Sequence, residues 1–200
     1  MHARAADQRR RQELRWARQG LSALHLLLPP EEPPRVGQHY PLGDTTDARR
    51  GTSFYYHSHG PEERGRVARE HGHFHLFARP SGRLLHVVSI AVDPLGQPLA
   101  FTQVNGWVTG EASWSLAVRQ QWLARWRVAA SGAVGSVSRW LRALLDEHER
   151  PLRRLLRLRQ QRLAALSRGR PLEQVMQDRR TYTLASLAVP QAGPVLITRR

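Results

Sequence analysis

Residues 53–79 read S-F-Y-Y-H-S-H-G-P-E-E-R-G-R-V-A-R-E-H-G-H-F-H-L-F-A-R, and two short segments in this stretch alternate with a period of two. Ser53 to His59 is aromatic-rich, and His71 to Arg79 interleaves histidine with small or apolar residues. Side chains two apart on a strand share a face. His57 and His59 are therefore neighbours on one strand, and His71, His73 and His75 on the next. Gly60 to Arg69 is polar, with Pro61 opening a turn, so the stretch predicts two strands and a connection.

Downstream, Leu84 to Val92 is an almost continuous apolar run rich in β-branched residues, Pro94 to Gly96 is a turn signal and Leu99 to Val104 is again apolar, which predicts a hairpin. Upstream, Val36 to Gly51 has no apolar periodicity and reads as an extended loop or a set of turns. Leu14, Ala17, Leu21, Leu24 and Leu28 recur at helical spacing, so residues 5–28 are expected to form an amphipathic helix ended by Pro29 and Pro30.

Beyond Trp107 the period lengthens to about four. Trp114, Val118, Trp122 and Trp126 form one stripe, and Trp140, Leu141, Leu144, Leu145 and His148 a second after the Gly132 to Gly135 break. A third helix opens at Pro151, carries Leu152, Leu155, Leu156, Leu163 and Leu166, and stops at Gly169. Its arginines at 153, 154, 157, 159 and 162 read as a solvated face. Pro171 opens a shorter helix through Arg180, Thr181 to Val189 suits a last strand, and 190–200 a frayed tail. The expected fold is one α+β domain over residues 1–200. It has an N-terminal helix, a small, mostly antiparallel sheet within 36–111, and three to four helices over 113–180.

Composition bounds the chemistry. The absence of cysteine excludes disulfides, zinc ribbons, iron–sulfur clusters and thiol nucleophiles, so a metal here must take nitrogen or oxygen ligands. The 31 basic residues are all arginine against 16 acidic ones, a bias that reflects codon usage as well as function. A formal charge of +15 still favours polyanions, which keeps a nucleic acid or acidic partner as the alternative to a small-molecule substrate. The run Leu21 to Leu28 is too short for a signal peptide or a membrane span, so the expected location is cytoplasmic.

The in-phase histidines carry the functional expectation. His57, His59, His71, His73 and His75 are the candidate metal ligands, with Glu63 and Glu70 near enough in sequence to add a carboxylate. His86 is a further candidate, although its strand phase coincides with Val88, Ile90 and Val92, which belong to the core. Two or three imidazoles with a carboxylate and an open position suit zinc for hydrolysis or iron(II) for oxygen chemistry. Glu111, just past the hairpin, is placed to serve as a general acid or base, and Tyr55, in phase with His57, to donate a hydrogen bond to a bound ligand. Gly51, His57, His59 and Glu63 fit the first half of a cupin metal motif, G-x5-H-x-H-x3-E; its closing glycine and second half have no counterpart, so a full cupin barrel is not expected.

Three blocks, Y-Y-H-S-H at 55–59, E-H-G-H-F-H at 70–75 and N-G-W-V-T-G-E at 105–111, together resemble an uncharacterised bacterial family known as a domain of unknown function. In that family the position of Gly106 is commonly arginine. The resemblance implies that the three blocks belong to one unit and implies no activity.

Overall fold

The computed structural model describes residues 2–60 and 65–190. Its centre is a six-stranded antiparallel sheet whose strands follow one another in chain order: β1 (Tyr40–Asp47), β2 (Thr52–Ser58), β3 (Gly72–Ala78), β4 (Leu85–Val92), β5 (Pro98–Val104) and β6 (Thr183–Ala188). Helix α1 (His2–Ala17) precedes the sheet. Between β5 and β6 lie α2 (Gly106–Thr109), α3 (Leu116–Arg125), α4 (Gly132–Glu147), α5 (Glu149–Leu166) and α6 (Leu172–Met176). The architecture is α+β, as the two periods in the sequence require. No helix among the described residues is long and apolar enough to cross a membrane.

Register sorts the side chains of the middle strands. Phe54 pairs with Leu76 and Tyr56 with Phe74, while Phe74 pairs across to Ile90 and Leu76 to Val88. These residues turn to one face and are fully buried. They join a core cluster with Trp16 of α1, Leu123 of α3, Trp140 of α4 and Leu155 of α5. Ring centroids of Phe74 and Trp140 lie 5.7 Å apart, and those of Phe54 and Trp126 lie 6.3 Å apart in an edge arrangement. Alternation then leaves Tyr55, His57, His73 and His75 on the opposite face.

Three expectations need correction. Val36 to Gly51 is not all loop, because β1 pairs with β2 there. As an edge strand it buries only Tyr40, Thr45 and Asp47, so it carries no apolar alternation to read. The first helix ends at Ala17, where Gly20 adopts a left-handed φ of 70° and Leu21 N–H donates back to the Trp16 carbonyl. Its buried face is Ala5, Gln12 and Trp16, whereas Leu14 is 57% exposed. Leu24 and Leu27 reach the core from the turns that follow. The helix opened by Pro171 spans only Leu172–Met176; the tail beyond Pro190 lies outside the described residues.

Truncating Phe74, at the junction of sheet and α4, removes a fully buried ring with aromatic neighbours on two elements. Phe74→Ala is expected to cost about 3–5 kcal/mol, read as a lowered midpoint in denaturant unfolding with an unchanged slope.

Candidate metal centre

The pairing of β2 with β3 sets His57 directly opposite His73 and Tyr55 opposite His75. His59, one residue past β2, continues the same side. The result is a row of imidazoles in contact, with His73 at its middle. His73 Nε2 lies 2.9 Å from His57 Nε2 and 2.7 Å from His75 Nε2. His73 Nδ1 lies 2.9 Å from His59 Nε2 and 2.7 Å from Glu70 Oε1. The same Glu70 oxygen is 3.7 Å from His59 Nε2, while Oε2 accepts the Val67 N–H at 2.8 Å. Nitrogens of His57, His59 and His73 all fall within 4.8 Å of one another, a spacing at which the three could hold a metal ion. His59 and His73 are buried and His57 half-buried.

His86 also belongs to this row. Leu76 pairs with Val88, but the next residue, Phe77, pairs with His86, so Val87 is an extra residue in β4. This β-bulge reverses the alternation and turns His86 away from the face of Val88 and Ile90. Its Nε2 then sits 3.1 Å from His75 Nδ1 and 3.1 Å from Ser89 Oγ, which is itself 3.1 Å from His75 Nδ1.

A bulge leaves backbone groups without ladder partners, and side chains take them up here. Gln103 donates to the Val87 carbonyl, Glu111 Oε2 accepts the His86 N–H at 3.0 Å, and Arg119 donates to the His86 carbonyl. Glu111 further receives Arg119 at 2.8 Å and Arg159 at 2.6 Å, all three side chains being almost completely buried. Burial works against a charged carboxylate at Glu111, but Arg119 and Arg159 outweigh it and hold the group below the usual carboxylate range. Both of its oxygens are engaged in the ion-paired state.

Burial, with neighbouring positive charge, pushes three imidazoles of the row the other way. The His86 imidazole is lowered to about 3 and that of His57 to about 2, burial being the main cause in each; His75 is held well below its ordinary value for the same reason. The imidazoles of His57, His75 and His86 are therefore neutral near pH 7, the form that binds metals.

The other candidates fall as follows. His71 is not in the row: it precedes β3, its ring stacks on Tyr56 and its Nδ1 pairs with the Tyr56 hydroxyl. Gly72 permits this, since a β-carbon there would overlap that hydroxyl. Tyr55 borders the row, its centroid 5.2 Å from His75 and 5.7 Å from His57, and is stacked at 3.6 Å against His39. Burial first, then Asp44, raises its phenol above the ordinary tyrosine value, so it stays protonated. Glu63 lies outside the described residues.

A family model for a domain of unknown function, DUF6969, matches residues 3–189, which takes in the sheet, the histidine row and the Glu111 cluster. The chain belongs to this family. No match is found among curated proteins or among solved structures. In this DUF6969 chain, an arginine at Gly106 would have to displace Met176, whose Cε lies 2.7 Å from where a β-carbon would sit.

Sequence reasoning missed Arg119, Arg159, Ser89 and His39. Arg159 does not share a solvated face with its neighbours; it is 1% exposed. Its position between Leu155 and Leu163 at four-residue steps is the signal that places it on the buried stripe, and Leu116, Arg119 and Leu123, at steps of three and four, do the same on α3. His39 lies on the unrecognised β1 side, pairing through Nδ1 with Asp44 at 2.8 Å.

Two outcomes follow from this arrangement. Glu111→Ala leaves two buried guanidinium groups without their carboxylate and should cost about 3–5 kcal/mol in urea unfolding; a loss below about 1 kcal/mol would contradict the assignment. In the metal-free chain, the lowered histidines contribute stability present above their unfolded value of 6.5 and lost as pH falls toward the folded values near 3 and 2. The unfolded chain takes up those protons first, so stability should decline from about pH 6.5 downward, by up to about 1.4 kcal/mol per unit for each histidine. His86→Asn should flatten the slope between about pH 6.5 and 5, where few carboxylates titrate.

Proposed function

We propose that the histidine face binds a divalent metal ion through His57, His59 and His73, with Glu70 beside them, and that the chain acts on a small molecule as a metal-dependent hydrolase or oxidoreductase. The observation that carries this reading is the convergence of three imidazole nitrogens within 4.8 Å on paired strands. Ligands on a hydrogen-bonded ladder are already ordered, so little conformational freedom is lost when they bind.

The donor set narrows the ion. Three imidazoles with an open position suit zinc, which would supply an activated water for hydrolysis; drawing in Glu70 gives the mixed histidine and carboxylate shell that suits iron(II). The chain's own residues divide the remaining work. Glu70 orients His73 through Nδ1, and His86 with Ser89 holds His75 from behind. Tyr55, protonated and beside the row, is the hydrogen-bond donor to a bound ligand. Glu111, with both oxygens engaged, positions His86 and transfers no proton.

Elemental analysis of protein purified without an affinity tag tests the reading. At least one zinc or iron per chain is expected, lost in His57→Ala combined with His73→Ala. A content well below one per chain, unchanged after supplementation with either metal, would overturn it.

A further inference from the structure

Resting on the metal-binding reading above, the geometry points to two ions, one at each ring nitrogen of His73, with that imidazole as the bridge. The two ends of the ring are furnished separately. Nδ1 faces His59 Nε2 at 2.9 Å and Glu70 Oε1 at 2.7 Å. Nε2 faces His57 Nε2 at 2.9 Å and His75 Nε2 at 2.7 Å.

An imidazole's nitrogens point in divergent directions, and one ion can take a lone pair from only one of them. An ion at Nε2 leaves His59 and Glu70 gathered around the other end; an ion at Nδ1 leaves His57 and His75 gathered likewise. Two ions use every donor, and each receives three protein ligands with positions left open. The sites differ in kind. One has two nitrogens and a carboxylate oxygen, the other three nitrogens, so they need not prefer the same metal.

The required adjustment is small. Metal–nitrogen bonds of about 2.0–2.1 Å set ligand nitrogens roughly 3.3 Å apart, so the rings need only rotate outward by a fraction of an ångström. Binding at both nitrogens releases the ring N–H proton to solvent, leaving an imidazolate. That anion and the Glu70 carboxylate offset part of the positive charge brought in, as bound cations generally make possible for a ligand they deprotonate.

The competing arrangement is the single ion of the reading above, taken by one nitrogen of His73 together with His57 and His59 and with Glu70 beside them, and stoichiometry separates the two. Tag-free protein stripped by a chelator is titrated with zinc by calorimetry and with copper(II) followed by electron paramagnetic resonance. The expected result is two zinc ions per chain, falling to one in Glu70→Gln and to one in His57→Ala, with melting curves showing that both variants fold. Copper(II) added as a second equivalent should collapse the signal of the first, because spins joined through one imidazolate couple antiferromagnetically.

Saturation at one ion per chain, with Glu70→Gln still binding one at about 10–100-fold lower affinity, overturns the bridge and keeps the single-ion reading. Two equivalents of copper whose signals simply add also overturn the bridge. No binding of either metal overturns both readings.

Discussion

The histidine face depends on the antiparallel register of β2 with β3, in which Tyr56 lies opposite Phe74 and His57 opposite His73. A slip of one residue would carry the core aromatics of the slipping strand to the far face and its histidines into the apolar interior. The register is held by what lies beneath it. Phe54, Phe74 and Leu76 are fully buried against Trp126 and Trp140, so the cost of moving those rings into water guards the geometry of the imidazoles above. Core packing and site geometry are consequences of one pleat.

The second constraint is the bulge at Val87. Without it His86 would point at the helices with Val88 and Ile90; with it, His86 completes the row and fills the space behind His75. A bulge exposes backbone groups that a buried sheet cannot leave unpaired, and the chain answers with Gln103, Glu111 and Arg119. Glu111 needs two guanidinium partners to stay charged in that interior, which explains arginines on the buried stripes of α3 and α5. The N-G-W-V-T-G-E block is thereby tied to the histidines through the backbone of His86.

Five imidazoles linked in a row, each touching at least one other, are compatible only while most are neutral. The lowered values of His57, His75 and His86 show burial and mutual repulsion acting in the same direction. Among the described residues Glu70 is the carboxylate in contact with the row, and it meets His73 and His59, not the deeper pair. The row is therefore graded in charge along its length, with an acidic end at Glu70 and a neutral one where Ser89 stands beside His75 and His86.

Much of this was legible in the primary structure. Period two over residues 53–79 established the two histidine strands, period near four established the later helices, and the absence of cysteine confined metal chemistry to nitrogen and oxygen donors. Those features are local, since a strand's faces and a ligand's chemistry follow from neighbouring residues alone. What only tertiary structure decided was which in-phase residues meet. His71 leaves the row because Gly72 lets Tyr56 cross to it, His86 enters because one extra residue in β4 reverses the alternation, and Arg159 turns inward because Glu111 waits there. Each depends on a partner distant along the chain, and a periodicity read within one segment carries no information about the register or the charge of the segment packed against it.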